Sequence, residues 1–356
     1  MNVKVFSSLL VASVFPCLLS SSLASAAGAA DSVAFAPDGT TIIRNVSVPL
    51  PPAISEQAKA MIKARNQMGD PTHGLTAPVA QIREMLDPLR KQIAAELLKR
   101  FPSKVETRKL GGVTVHVVTP EKLAPGAEKS VLINVHAGAF MFNQGSITEA
   151  IPIAALTGIT VIAVDYRLAP ENPFPAAVED TVAVYREVLK KYSPDRVGIY
   201  GSSSGSVLSV QAVLMARQSG LPVPGAIGFF SGTADFARAG DSESMLGFLG
   251  FSKQVAPVAE QGKGYIGNTD LKNPILSPLY GDLRGLPPTL CMTGTRDFFL
   301  SGTSNFHRAL LKEGVEAELV VFDAMPHIHW DDPSLPESEE AWKLQAGFLA
   351  KHVLKQ

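Results

Sequence analysis

The sequence predicts an α/β protein: a mostly parallel central sheet flanked by helices, with a helical cap over one end. Three observations predict it. From about residue 104 to the C-terminus, short apolar runs alternate with helical stretches, the pattern of βαβ units. A turn reading Gly201-Ser202-Ser203-Ser204-Gly205 joins one such run to the helix after it. Candidate acid and histidine residues follow later runs in the same strand-to-loop position.

The 356 residues are 46% hydrophobic and 18% charged, which excludes a disordered chain. The formal net charge is -1 and no basic block occurs, so nucleic acid is not an expected partner. Residues 1–26 read as a secretory signal: Lys4, an apolar run over 5–19, then Leu23-Ala24-Ser25-Ala26 as a small-x-small cleavage pattern. The run is short for a bilayer span and contains Pro16, so no stable membrane insertion is expected after cleavage. The expected location is secreted or periplasmic. Cys17 would leave with the signal, and Cys291, inside Leu290-Cys291-Met292, reads as a small buried hydrophobe.

Residues 27–103 read as an arm and cap helices. The stretch 27–52 lacks periodicity and ends in Pro49, Pro51 and Pro52. Helices are expected over 55–68 and 78–100. In the second, Ile82, Met85, Leu86, Leu89, Ile93 and Leu97 recur at helical spacing on one face. The main domain then spans 104–356. Strands are expected at 113–118, 131–135, 159–164, 196–200, 226–230, 290–293 and 318–322. Helices are expected at 176–191, 203–218, 303–313 and 337–354. A Gly-, Ser- and Pro-rich excursion, about 232–286, breaks the alternation and reads as a cap insertion. Its Met245, Leu246, Phe248, Leu249 and Phe251 fit either an apolar substrate portion or packing of the cap onto the main domain.

The 201–205 turn matches G-x-S-x-G between a strand and a helix, the context of a nucleophile elbow. Only Ser203 has a glycine two residues away on both sides. The helix N-terminus behind it aims amides at a developing anion. The turn His136-Ala137-Gly138-Ala139, after the strand at 131–135, can bring further amides to a substrate carbonyl. A serine hydroxyl needs a base, and the base an orienter. Asp297 follows the run 290–293, and His327 and His329 follow the run 318–322. All three fall at the sheet end that carries Ser203, and His327 is nearer its strand than His329. Asp323, His307 and Asp282 are weaker alternatives. No H-E-x-x-H or paired C-x-x-C occurs, so no metal or cofactor is expected.

These motifs together resemble the bacterial hormone-sensitive-lipase-like esterases of the α/β-hydrolase superfamily. Most specific is Asp165-Tyr166-Arg167-Leu168-Ala169-Pro170-Glu171, with Phe174-Pro175-Ala176-Ala177-Val178-Glu179-Asp180 after it. That string looks like the family's structural signature, holding the elbow region. The resemblance implies the α/β-hydrolase fold, with Asp297 as acid and His327 as base. It also implies oxyanion donors at Ala137, Gly138 and Ser204. Two departures stand out. The family's G-D-S-A-G elbow has Ser202 and Ser204 in place of Asp and Ala, and its H-G-G-G turn has Ala137 and Ala139 around one glycine. The resemblance implies hydrolysis of small or medium acyl esters or lactones. A serine peptidase or amidase of the same fold, or an inactive binding protein, is the alternative. The expected partner is the small-molecule substrate; a homodimer is left open.

Overall fold

The computed structural model describes residues 33–43, 47–68, 78–245 and 263–354. The signal segment 1–26, and Leu246, Phe248, Leu249 and Phe251 of the insertion, lie outside the described residues. The chain divides into two compact units, Met1–Pro49 and Leu50–Gln356. The first holds an antiparallel hairpin, β1 (Val33–Phe35) and β2 (Thr41–Ile43), where the sequence suggested only a linker. Asp38 and Gly39 close its turn.

In the second unit, α1 (Glu56–Met68) and α2 (Val79–Arg100) precede an eight-stranded sheet. Its strands are β3 (Ser103–Leu110), β4 (Val113–Pro120), β5 (Val131–Val135), β6 (Val161–Val164) and β7 (Val197–Ser202). They continue with β8 (Ala226–Phe230), β9 (Thr289–Arg296) and β10 (Ala317–Pro326). The order is β10-β9-β8-β7-β5-β6-β4-β3; β4 pairs antiparallel with both β3 and β6, and every other neighbouring pair is parallel. β5 through β8 are buried along almost their whole length, as parallel strands covered on both faces must be. β3 escaped the sequence reading. It is an edge strand whose Lys104, Thr107, Arg108 and Lys109 are exposed, so it carries no apolar run.

The crossovers carry α3 (Ala150–Thr157), α4 (Ala176–Val188), α5 (Ser204–Gln218) and α8 (Leu300–Lys312), and α9 (Pro336–Val353) follows the last strand. α3 was not anticipated either. It is apolar all round and mostly buried, so it lacks the amphipathic period that marks a surface helix. Among its described residues, the insertion holds the short helices α6 (Asp241–Met245) and α7 (Lys263–Ile266). Met245 is exposed. The expected apolar face of α2 is only partly used: Ile82 and Leu97 are buried, whereas Met85 and Leu89 are exposed at 61% and 50%. Cys291 is fully buried in β9, and burial pushes its thiol far above the usual range. Among the described residues, no helix is long and apolar enough to cross a membrane.

Candidate active site

The sequence folds sharply at the end of β7 because its glycines permit it. A Cβ on Gly201 would lie 2.2 Å from the Val135 carbonyl oxygen, and one on Gly205 only 1.9 Å from it. The first turn of α5 therefore approaches β5 more closely than any side chain allows. Ser203, between them, is held at φ 54° and ψ -121°, a strained conformation for a residue with a Cβ. Its amide donates to the Phe230 carbonyl at 2.8 Å, which ties the elbow to β8.

The strained turn points the Ser203 hydroxyl at His327, whose Nε2 lies 2.9 Å from Oγ. On the other side of the ring, Nδ1 lies 3.0 Å from Asp297 Oδ1. An ionised carboxylate can only accept, so Nδ1 carries the proton and Nε2 is left as an acceptor toward Ser203. Asp297 is fully buried. Its carboxylate also accepts from the Phe299 amide at 2.9 Å, from the Thr293 hydroxyl at 2.8 Å and from the Ser231 hydroxyl. Burial alone would raise the Asp297 pKa. The adjacent His327 and the hydrogen bonds from Ser231 and Phe299 outweigh it and hold the carboxyl below its ordinary value.

Ser231 was not singled out from the sequence. It sits just past β8 at φ 59°, and its hydroxyl lies 2.7 Å from His327 Nδ1 while donating to Asp297. No motif flags a lone serine at a strand end. The rings of Phe298 and Phe299 flank His327 at centroid distances of 4.3 and 5.4 Å.

The other candidate imidazoles are elsewhere. His329 is buried against Phe322 and Trp330, and burial depresses its pKa to about 4. His136 stacks on Tyr166 at 4.2 Å, its Nδ1 is 2.8 Å from its neighbour's carbonyl, and burial lowers it to about 4. His136 therefore shapes the turn as a neutral ring. Asp323 accepts from Thr295, Asp282 pairs with Arg284, and His307 sits 3.4 Å from the Ala317 carbonyl.

The turn after β5 corrects one expectation. The Ala137 amide is already engaged within the protein: it donates to Glu149 Oε1 at 2.7 Å. Gly138, at φ 136°, redirects the chain, and a Cβ there would meet the Phe142 carbonyl oxygen at 2.3 Å. The amides of Gly138, Ala139 and Ser204 donate to no protein acceptor among the described residues. Ser204 opens α5, where first-turn amides lack intrahelical acceptors. Glu149 is half-buried, but its Oε2 is shielded from solvent and unpartnered among the described residues, and desolvation raises its pKa to about 7. It borders a small cavity with Ser202, Tyr200 and Trp330. Ser202, where the family elbow has Asp, accepts the Trp330 indole N–H at 3.0 Å.

The Asp165–Glu171 string, expected to hold the elbow region, is fastened by hydrogen bonds to the turn after β5 and to α4. The Tyr166 hydroxyl donates to the His136 carbonyl at 2.9 Å, and the Ala169 amide to the Phe140 carbonyl at 3.0 Å. Arg167 closes the loop onto Asp180 through its backbone amide at 2.8 Å and its guanidinium at 2.9 Å.

Sheet order, elbow and histidine loop together define an α/β hydrolase, and residues 132–330 match the family described as alpha/beta hydrolase fold. An acetyl-hydrolase of Streptomyces hygroscopicus is 34% identical over 67% of this chain and 81% of its own length. An esterase of Acinetobacter venetianus is 26% identical over 66% and 79%. The crystal structure of esterase E25 superimposes with a TM-score of 0.77 at 32% identity, covering 87% of this chain and all but 2% of that one (98%). A bacterial hormone-sensitive lipase family esterase gives 0.73 at 29% identity, covering 85% of this chain and 99% of its own. The chain belongs to the α/β-hydrolase-fold family and, within it, is a carboxylesterase-class enzyme of the bacterial hormone-sensitive-lipase-like group.

Proposed function

We propose that this enzyme hydrolyses small or medium acyl esters or lactones through an acyl-enzyme. The observation that carries the reading is the unbroken relay from Ser203 through His327 to buried Asp297, at 2.9 and 3.0 Å. His327 Nε2 takes the Ser203 proton as Oγ attacks the ester carbonyl, and the imidazolium that forms faces the Asp297 carboxylate. The negative charge on the carbonyl oxygen is met by the amides of Gly138, Ala139 and Ser204. Ala139 replaces Ala137 in this set because the Ala137 amide is spent on Glu149. The imidazolium protonates the leaving alcohol oxygen, leaving an ester at Ser203. Water, deprotonated by His327, then attacks that ester, and collapse returns Ser203 and the free acid.

Phe298 and Phe299 beside His327, and the likeness to an acetyl-hydrolase, support a short acyl group. The test is a fluorophosphonate probe on the intact protein, with p-nitrophenyl esters, p-nitroanilides and a lactone panel as substrates. Labelling and ester turnover should both vanish in Ser203→Ala; turnover that survives it overturns the mechanism. Preference for anilides over esters would make the protein an amidase. Export follows from the leader reading of residues 1–26. Its test is the N-terminal sequence of the exported protein, which should begin after Ala26.

A further inference from the structure

The turn that carries two of the oxyanion amides is built against backbone preference. Ala139, Phe140 and Asn143 have φ of 51°, 65° and 67°, where residues with a Cβ are disfavoured. Glycine occupies the first of these positions in the family's H-G-G-G turn; here it is alanine. Such a turn persists only if its surroundings over-determine it.

Much of that determination comes from one helix outside the sheet. Arg83 of α2 donates through Nε to the Met141 carbonyl and through Nη2 to the Ala169 carbonyl, both at 2.8 Å. The same guanidinium forks onto Glu171 at 2.8 and 2.9 Å. Arg90, two helical turns further along and so on the same face, donates to Asn143 Oδ1 at 3.2 Å. Asn143 in turn donates to the Ala137 carbonyl at 3.0 Å. Arg90 also pairs with Asp331, in the loop that carries His327. Neither arginine is placed against Ser203, His327 or Asp297 by any of these contacts.

We propose that α2 is a positioning element for the oxyanion turn. Arg83 pins the Met141 carbonyl to the Ala169 loop, and Arg90 pins Asn143 to the histidine loop. Together they keep Gly138 and Ala139 amides aimed at the reacting carbonyl. This rests on the hydrolytic reading above, and deepens it by assigning part of the transition-state stabilisation to a helix that does not touch substrate. The Arg83–Glu171 pair is largely solvated, with Glu171 58% exposed, so the charge contact itself matters little. The two carbonyl bonds carry the effect.

The test is steady-state hydrolysis of p-nitrophenyl acetate by the full chain, with melting temperature measured beside it. Arg83→Met should lower kcat about tenfold or more while KM moves less than about threefold, because a misaimed oxyanion amide weakens only the transition state. Arg83→Lys keeps a cation for Glu171 but cannot span Met141 and Ala169 at once, so it should lose kcat as well; it carries the test if the Met variant does not fold. Glu171→Gln should stay within about twofold of wild type. Adding Ala139→Gly to Arg83→Met should recover about threefold or more of the lost kcat, since glycine adopts this φ without a clamp. A helix that merely stabilised the fold would not give that rescue. Ester hydrolysis that survives Ser203→Ala overturns the hydrolytic reading and this one together. Serine-dependent turnover in which Arg83→Met stays within about twofold of wild type, or a loss that Ala139→Gly does not recover, overturns this one alone.

Discussion

Substituting alanine for Gly138 tests the oxyanion turn most directly, because its geometry leaves no room for compensation. The new Cβ would sit 2.3 Å from the Phe142 carbonyl oxygen and 2.8 Å from its carbonyl carbon. Contacts that short do not persist, so one side must move. Phe142 cannot retreat alone: its amide is bonded to the Gly138 carbonyl at 2.8 Å, and Asn143 Nδ2 is 3.2 Å from the same Cβ. The Gly138 backbone also leaves φ 136°, since alanine does not tolerate it. The result is rotation of the 138 and 139 peptides and loss of at least one donor to the oxyanion. One such donor is worth about 2.7–4 kcal/mol of barrier, so kcat should fall about 10²–10³-fold. The turn lies at the sheet's end rather than in its core. The fold should therefore pay only the local strain, about 1–3 kcal/mol, and melt several degrees lower rather than collapse. Stopped-time assays with p-nitrophenyl acetate and differential scanning fluorimetry measure both quantities on one preparation. A Gly138→Ala protein with kcat within about threefold of wild type would refute the placement of these amides at the reacting oxygen.

Asp297→Asn keeps shape and burial but removes the charge that faces the imidazolium and favours the wrong tautomer, so kcat should fall by about 10⁴ at unchanged fold, read by ester turnover and circular dichroism. His329→Asn should retain ester turnover where His327→Ala loses it, because only His327 reaches Ser203; the reverse result would reassign the base. Ser231→Ala removes one hydroxyl from a buried carboxylate that also accepts from Thr293 and Phe299, a charge-assisted bond worth about 1.5–3 kcal/mol, and should show mainly as a lowered melting temperature above pH 4. Glu149 titrates at about 7 when folded against an ordinary value of 4.5, so its ionisation destabilises the folded state. Its contribution is intact below pH 4.5 and is lost as pH rises through 7. Glu149→Gln should thus lie close to wild type in unfolding free energy at pH 5 and exceed it by about 3 kcal/mol at pH 8.5, with a higher melting temperature there. Equal melting curves at both pH values would remove Glu149 as a desolvated titrating group.

Much of this site was legible in the sequence, and what was missed shares a cause. The elbow, Asp297 and His327 each follow an apolar run, so strand periodicity alone places them at one rim of the sheet. β5 and β8 have the bounds that their apolar runs predict, because a strand buried on both faces must be apolar throughout. β3 and α3 were missed for opposite reasons: one is an edge too polar to register, the other a helix too apolar to show a period. Ser231, Glu149, Arg83 and Arg90 act through contacts formed only by folding, and none sits in a short motif. The misplacement of the Ala137 amide has the same origin. Residue order in the turn tells which amides are near, while their directions follow from positive φ angles at 138, 139 and 140 and from a carboxylate twelve residues on.

The departures from the family pattern show how the same physics is met by other residues. An Asp ahead of the nucleophile would place a second carboxylate in the region that Glu149 already occupies. Two buried acids there would repel one another and raise both pKa values. Ser202 avoids this, and its hydroxyl satisfies the Trp330 indole, which would otherwise be a buried donor without acceptor. Glu149 takes the role of fastening the turn by accepting from Ala137, at the cost of a carboxyl that burial drives toward its neutral form. Alanine in place of glycine at 139 narrows the turn's freedom before substrate arrives, so less backbone entropy remains to be lost in the transition state. That gain exists only while the left-handed φ is enforced, which α2, Asn143 and the Ala169 loop do from three directions. The alanines are therefore compatible with the proposed oxyanion site because the restraint that glycine makes unnecessary is supplied here by the surrounding side chains.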